Sequence, residues 1–377
     1  MATVDWITIE GFKSIKRITR LPLAPISVLI GPNGSGKSNF IGAFSLLREI
    51  RNGRLQEYVA RSGGADRMLH FGTKMTSELQ AHVSLGNGVY EYRVTLAPTA
   101  ADGLSPTSEA CVEHRDGHPL TSGAHGYRTE AWISHRDRYG LDDESVHAVR
   151  DLLDGWRVYH FHDTGATSPL KKTADVNDNR FLRHDGANLA AFLHLLLHRH
   201  ASVYDLIRRT VRLVAPFFED FRLEPRALNE NTIRLEWRHR TSEAHFDAAS
   251  LSDGTLRFIA LATLLLQPPA LRPSVILLDE PELGLHPYAI AILASLVKQA
   301  SVDTQIVLST QSSLLLDEFR PEDVLVADRV DGATELRRLD AARLATWLEN
   351  YSLGQLWRKN ELGGRPTRET GPRSSAP

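Results

Sequence analysis

Eight residues constrain this chain more than any others: Gly31-Pro32-Asn33-Gly34-Ser35-Gly36-Lys37-Ser38. An apolar run, Ser27-Val28-Leu29-Ile30, precedes them, and a helical pattern from Asn39 to Ile50 follows. That is the strand, loop and helix context of a phosphate-binding loop. Glycines at 31, 34 and 36 let the backbone turn tightly and approach an anion with no Cβ in the way. The loop N–H groups and the helix N-terminus then face the β- and γ-phosphates. Lys37 would neutralise them, and the Ser38 hydroxyl would hold Mg²⁺. The pattern implies a nucleoside-triphosphate site.

Composition narrows the setting. The chain has 377 residues, room for two domains or for one large domain with an insertion. With 42% hydrophobic and 24% charged residues it matches an ordinary globular protein. A single cysteine, Cys111, excludes a disulfide framework and any Cys-based zinc site, and suits a reducing compartment. The apolar run from Phe258 to Leu266 falls far short of the roughly 20 residues that span a bilayer. The first residues carry Asp5 and Glu10 and no apolar signal core, so the expectation is a cytoplasmic protein without membrane partners. A net charge of −2 does not advertise nucleic acid.

The second half of the expected site lies far downstream. Val275-Ile276-Leu277-Leu278 is a continuous apolar run, as in a strand covered on both faces of a parallel sheet. It ends in Asp279-Glu280, where carboxylates emerge at the carboxyl end of the strand, the ligand edge of an open α/β sheet. Asp279 would hold Mg²⁺ through water, and Glu280 would orient and deprotonate the attacking water. Upstream, Leu251-Ser252-Asp253-Gly254-Thr255 opens the helical pattern Leu256 to Leu266. A Ser-x-Gly loop there is either an anion site or a simple capped helix start.

Together, Gly31–Ser38, Leu251–Thr255 and Val275–Pro287 resemble the ABC-type ATPase head of the RecF/SMC-like branch. Gly11-Phe12-Lys13-Ser14-Ile15 is similar to that branch's opening strand and turn, and Asp279-Glu280-Pro281-Glu282-Leu283-Gly284-Leu285-His286-Pro287 to its acidic strand and following loop. The resemblance implies ATP and Mg²⁺ as cofactors and a homodimer in which two heads sandwich two ATP molecules. Gly31, Pro32, Asn33, Gly34, Ser35, Gly36, Lys37, Ser38, Asn39, Asp279 and Glu280 would act in cis. Ser252 and Gly254 would contact the γ-phosphate held by the neighbouring head. Two departures stand out. The signature reads Leu-Ser-Asp-Gly-Thr, without the second glycine and glutamine of transporters. After the strand Ile306-Val307-Leu308, Gln311 occupies a position where a histidine is usual. Glutamine can donate to a γ-phosphate but carries no charge and shuttles no proton, so slow, switch-like turnover is expected.

The implied fold class is α/β: a P-loop NTPase head of the ABC type, with a mainly parallel central sheet, antiparallel hairpins, an inserted mixed α/β lobe and no long coiled coil. The expected organisation is residues 1–60 for the first half of the head and 61–247 for the inserted lobe. Residues 248–340 form the second half, 341–362 a C-terminal helix and 363–377 a disordered tail. Within the lobe, Val83, Leu85, Tyr90, Tyr92, Val94 and Leu96 alternate around Gly86-Asn87-Gly88, a hairpin signal. Ile233, Leu235 and Trp237 read as one strand, and Pro98 to Gly126 as a mobile loop or hairpin tip. Helices are expected from Asn188 and over Val203 to Val214.

Smaller clusters carry weaker readings. His194 and His198 have a helical metal spacing but no acidic partner nearby in sequence. His160 and His162 share one face of a strand end, with no chemistry assigned. Arg208, Arg209 and Arg212 form a helical stripe that could follow a DNA backbone or be a solvated face. Trp347, Leu348, Tyr351, Leu356 and Trp357 form a short aromatic helix, either a partner dock or a lid on the core. The stretch after Gln311 is short and holds no Asp-x-Asp cluster, so a fused nuclease of the kind found in overcoming-lysogenisation-defect proteins is not expected. The expected function is a dimerising ATPase switch in a DNA-linked process, as the ATPase subunit of an anti-phage system with a separate nuclease-like or toxin-like effector. The alternatives are a RecF-like repair ATPase and a transporter subunit.

Overall fold

The structure is a computed structural model that describes residues 3–115, 118–135, 144–165 and 167–363. In chain order, the first elements are β1 (Val4–Phe12), β2 (Ile15–Pro22), β3 (Ile26–Ile30), α1 (Lys37–Arg51), α2 (Leu55–Arg61), α3 (Ala65–Met68), β4 (Leu79–Leu85), β5 (Tyr90–Pro98), β6 (Leu104–Arg115), β7 (His118–His125) and α4 (Glu144–Asp154). Next come β8 (Trp156–Tyr159), β9 (Ala174–Asp175), α5 (Leu189–Arg199), α6 (Ala201–Val214), β10 (Phe218–Arg222), β11 (Thr232–Ile233), β12 (Glu236–His239), β13 (His245–Asp247) and α7 (Asp253–Leu266). The last are β14 (Val275–Asp279), α8 (Pro287–Ala300), β15 (Gln305–Thr310), α9 (Ser313–Leu316), β16 (Val324–Val330), β17 (Ala333–Arg338), α10 (Ala341–Leu348) and α11 (Leu353–Lys359).

The chain divides into two compact units, one formed by Met1–Trp156 with Arg320–Pro377 and the other by Arg157–Phe319. Residues 61–247, set apart by sequence as a lobe, are therefore shared between them.

In the first unit, β3 is buried along its whole length and runs parallel to β16, with Val28 opposite Val324. β17 continues this sheet antiparallel to β16. An entirely antiparallel sheet, in the order β2-β1-β4-β5-β6-β7, supplies the rest. The Gly86-Asn87-Gly88 turn joins β4 to β5, all three residues at positive φ, and the Asp5 carboxylate accepts from the N–H groups of Asn87 and Gly88. Helix α1 buries Phe40, Phe44 and Leu47, and the Phe44 ring lies 5.2 Å from that of Trp156. Each such side chain contributes about 1.5–3 kcal/mol on burial. That packing fixes the helix whose first turn follows the glycine loop.

The second unit holds the parallel pair β14 and β15, with β8 beside β14. Both parallel strands are buried, and the apolar helix α7 packs with α6 and α8. A separate three-stranded sheet, β10-β12-β13, is lined by Phe218, Phe221 and Trp237. Among the described residues the longest helix is α1, 15 residues, in line with the expectation of no long coiled coil.

Several local expectations need correction. Pro98 to Gly126 is not a loop: it contains β6 and β7, with Cys111 opposite Tyr92 and Val112 opposite Thr121. Turn formers such as Pro106, Pro119 and Gly123 lie within these strands, and β7 is an edge strand with no buried residue, so it shows no alternation. Ile233 and Trp237 belong to different strands: Ile233 pairs with Ala174, and Trp237 with Phe221. The aromatic helix near the C-terminus is two helices, because Ser352 caps α11 with a reciprocal Gln355 bond. Trp347 is 45% exposed and Leu356 is buried. The expected disordered tail, apart from Gly363, lies outside the described residues.

Candidate functional site

The glycine loop sits between β3 and α1, as the sequence implies. Gly34 has φ 80°, with open space where a Cβ would be. Gly36 caps α1 at φ 98°, and a Cβ there would meet Thr334 Oγ1 at 1.9 Å. Only glycine fits that position. Lys37 is buried and spans the loop, its Nζ donating to the carbonyls of Gly31 at 2.7 Å and Pro32 at 3.0 Å. Ser35 Oγ is buried with no hydrogen-bond partner. Thr334 Oγ1 donates to the Ser35 carbonyl at 2.9 Å and lies 2.7 Å from Ser14 Oγ, which accepts from Asn39 Nδ2 at 2.7 Å. Asn39 thus braces the loop from behind. Asn33, Gly34 and Ser38 are exposed. A loop with left-handed glycines at 34 and 36, a lysine across it and a 15-residue helix after it fits a phosphate group.

The second unit gathers the carboxylates. Asp279 ends β14 opposite Ser309 of β15, and Ser309 Oγ donates to its carboxylate. Glu280 follows at φ 41°, a left-handed conformation that costs a non-glycine residue about 1–3 kcal/mol. Its N–H donates to the Ser309 carbonyl at 3.0 Å, which holds the turn in place. Gln311 Nε2 donates to the Glu280 carboxylate. Two residues on, Glu282 is 8% exposed and accepts from Thr310 Oγ1 and the Gln311 N–H. Burial pushes the Glu282 carboxyl above its ordinary value. Sequence reasoning gave Glu282, Ser309 and Thr310 no role; an acid two residues past the carboxylate pair was the available signal.

Ser252 is the N-cap of α7, its Oγ accepting from the Thr255 N–H at 3.1 Å. A Cβ on Gly254 would sit 2.4 Å from the Gly284 carbonyl oxygen, so this glycine lets the loop after Glu280 close on the helix start. Arg257, buried one turn on, donates to the carbonyls of Phe161 at 2.9 Å and His162 at 3.0 Å. A charged residue inside an otherwise apolar helix was its sequence signal.

The remaining clusters resolve as follows. Arg208 pairs with Asp205 and Asp220, Arg209 with Asp205 at 2.9 Å, and Arg212 with Glu219 at 2.8 Å. The stripe is charge-compensated within its own lobe. His194 Nδ1 lies 2.8 Å from the Leu223 carbonyl oxygen, and its ring stacks edge-on against His198. Among the described residues, the set with three ligand-type side chains in reach of one another is instead His160, His162 and Asp279. His160 follows the last residue of β8.

The family model described as "AAA domain, putative AbiEii toxin, Type IV TA system" matches residues 26–317, more than half of the chain. The chain belongs to this AAA-domain family. No curated protein matches it. Among solved structures, an SMC head bound to the C-terminal winged-helix domain of ScpA is similar at TM-score 0.60 and 15% identity, covering 91% of this chain and 99% of that one. An SMC head with an extended coiled coil, bound to the C-terminal domain of ScpA from Pyrococcus furiosus, gives TM-score 0.57 and 13% identity, covering 93% and 99%. At such identities the likeness shows the fold. The AAA-domain family and the fold together bear out the resemblance read from the motifs: a P-loop ATPase head of the SMC/ABC-like kind. No helix among the described residues is long and apolar enough to cross a membrane.

Proposed function

We propose that this member of the AAA-domain family binds and slowly hydrolyses ATP with Mg²⁺, and that ATP drives its heads into a dimer that controls a separate effector in anti-phage defence. The observation that carries the reading is the held carboxylate: Glu280 at the carboxyl end of β14, fixed by Ser309 and Gln311. In this reading the Gly31–Ser38 loop and Lys37 take the β- and γ-phosphates. Ser38 and Asp279 hold Mg²⁺, which when bound draws charge off the phosphate oxygens. Glu280 accepts the proton of the attacking water, and Gln311 keeps its carboxylate turned to that task. Ser252 and Gly254 complete the partner head's site, a role that adds to the cap and close approach they already provide.

The family description, with its toxin and toxin–antitoxin wording, supports a defence setting with an effector. The similar SMC heads, which their descriptions place with ScpA, support a head that works with another protein. Exposed Trp347 on α10 is our choice for that dock. DNA enters the reading through the partner, because Arg208, Arg209 and Arg212 are already ion-paired. Light scattering with ATP and Mg²⁺ tests the assembly step. Glu280→Gln should accumulate as a dimer, since nucleotide binds and water is not activated. A variant that binds ATP and stays monomeric at micromolar concentration overturns the ATP-driven dimer.

A further inference from the structure

The pair of histidines after β8 converges on the carboxylate strand. One ligand atom each from His160, His162 and Asp279 lies within 4.8 Å of the other two. His160 is exposed and His162 half-buried, with ring centroids 6.3 Å apart. The backbone beneath them is held on both sides. The His160 N–H donates to the His184 carbonyl at 2.9 Å, and Arg257 grips the carbonyls of Phe161 and His162. Asp279 is fixed in turn by Ser309. A small cavity lined by His162, Asp279, Glu280 and Arg257 adjoins the cluster. These side chains all belong to the second unit.

The geometry points to a transition-metal site: His160, His162 and Asp279 bind a divalent cation of the Zn²⁺, Mn²⁺ or Co²⁺ class. Two imidazoles and one carboxylate suit such ions, whereas Mg²⁺ prefers oxygen ligands alone. Ligand atoms about 2.1 Å from a tetrahedral ion sit roughly 3.4 Å apart, so the three, within 4.8 Å of one another, close by at most about 1.4 Å on binding. Rotation of the two accessible imidazoles supplies that movement. Three protein ligands leave at least one position for water or another ligand. The site goes beyond the nucleotide reading and does not need it. Because it uses Asp279, its ion competes with the Mg²⁺ role proposed for that residue.

The test uses the full chain, stripped of metal by chelation and free of nucleotide, titrated with Co²⁺. The expected result is visible d–d absorption that saturates stoichiometrically and is displaced by Zn²⁺. The His160→Ala, His162→Ala double variant should lose the bands and bind Zn²⁺ at least about tenfold more weakly. Asp279→Asn should weaken both signals. Circular dichroism confirms that each variant is folded; should the double variant unfold, His160→Ala alone makes the comparison, since its side chain is exposed. Lys37→Ala, which disables the proposed phosphate loop, should keep the bands, so failure of the ATP reading leaves this result standing. A parent protein without d–d bands, or bands that persist in the histidine variants, overturns the proposal.

Discussion

Gln311 donates its side-chain amide to the carboxylate of Glu280, joining the residue after β15 to the residue after β14. The sequence reading let Gln311 donate to a γ-phosphate; in the structure its amide donates to the proposed general base. Its neighbours Ser309 and Thr310 hold Asp279 and Glu282. Three consecutive residues at and just after the end of β15 therefore orient three carboxylates at and just after the end of β14.

Gln311→Ala should accordingly lower kcat about tenfold or more while nucleotide affinity stays near parental. A hydrogen bond to a charged group is worth about 1.5–3 kcal/mol. Steady-state kinetics with a separate binding titration decide it. Loss of affinity at unchanged kcat would place Gln311 on the nucleotide rather than on Glu280. Gln311→His should raise kcat above the parent, because an imidazole can donate to Glu280 and also move a proton.

The signature residues carry structural work that can be measured without ATP. Gly254→Ala forces a Cβ to within 2.4 Å of the Gly284 carbonyl oxygen and should cost about 1–3 kcal/mol. Ser252→Ala removes the α7 cap and should cost about 1 kcal/mol. Chemical denaturation of the nucleotide-free protein reads both. A Gly254→Ala protein as stable as the parent would mean that the loop after Glu280 does not close on α7.

Glu282 predicts a pH dependence. Burial raises its folded carboxyl above the ordinary value, so the native state keeps the proton longer than the unfolded chain does. Its contribution to stability is complete at low pH and is lost as pH rises through the folded value. Glu282→Gln keeps an acceptor for Thr310 and Gln311 and removes the charge. The Tm difference, variant minus parent, should therefore grow as pH rises from mildly acidic to neutral and then level off. A difference that does not change with pH would contradict this account.

Much of the site was legible because its chemistry demands particular residues at particular places. The glycines before Lys37 and the apolar strand ending at Asp279 allow few other uses, and both lie where the sequence implies. What was hidden depends on contacts far apart in sequence. Thr334 bracing the Ser35 carbonyl and Arg257 gripping the His162 carbonyl leave no periodic signal. The arginine stripe was legible as a helix face, but the acids that neutralise Arg208 and Arg212 stand on β10. Edge strand β7 was missed for a simpler reason: with neither face buried, its residues need not alternate.

The central claim is that Lys37 binds the nucleotide and Glu280 performs the hydrolysis. Mg²⁺-dependent ATP binding and phosphate release, measured together on the parent, Lys37→Ala and Glu280→Gln, test it directly. Lys37→Ala should lose binding, and Glu280→Gln should bind like the parent while its phosphate release falls by about 100-fold or more. A Glu280→Gln protein that releases phosphate at the parental rate would contradict the account.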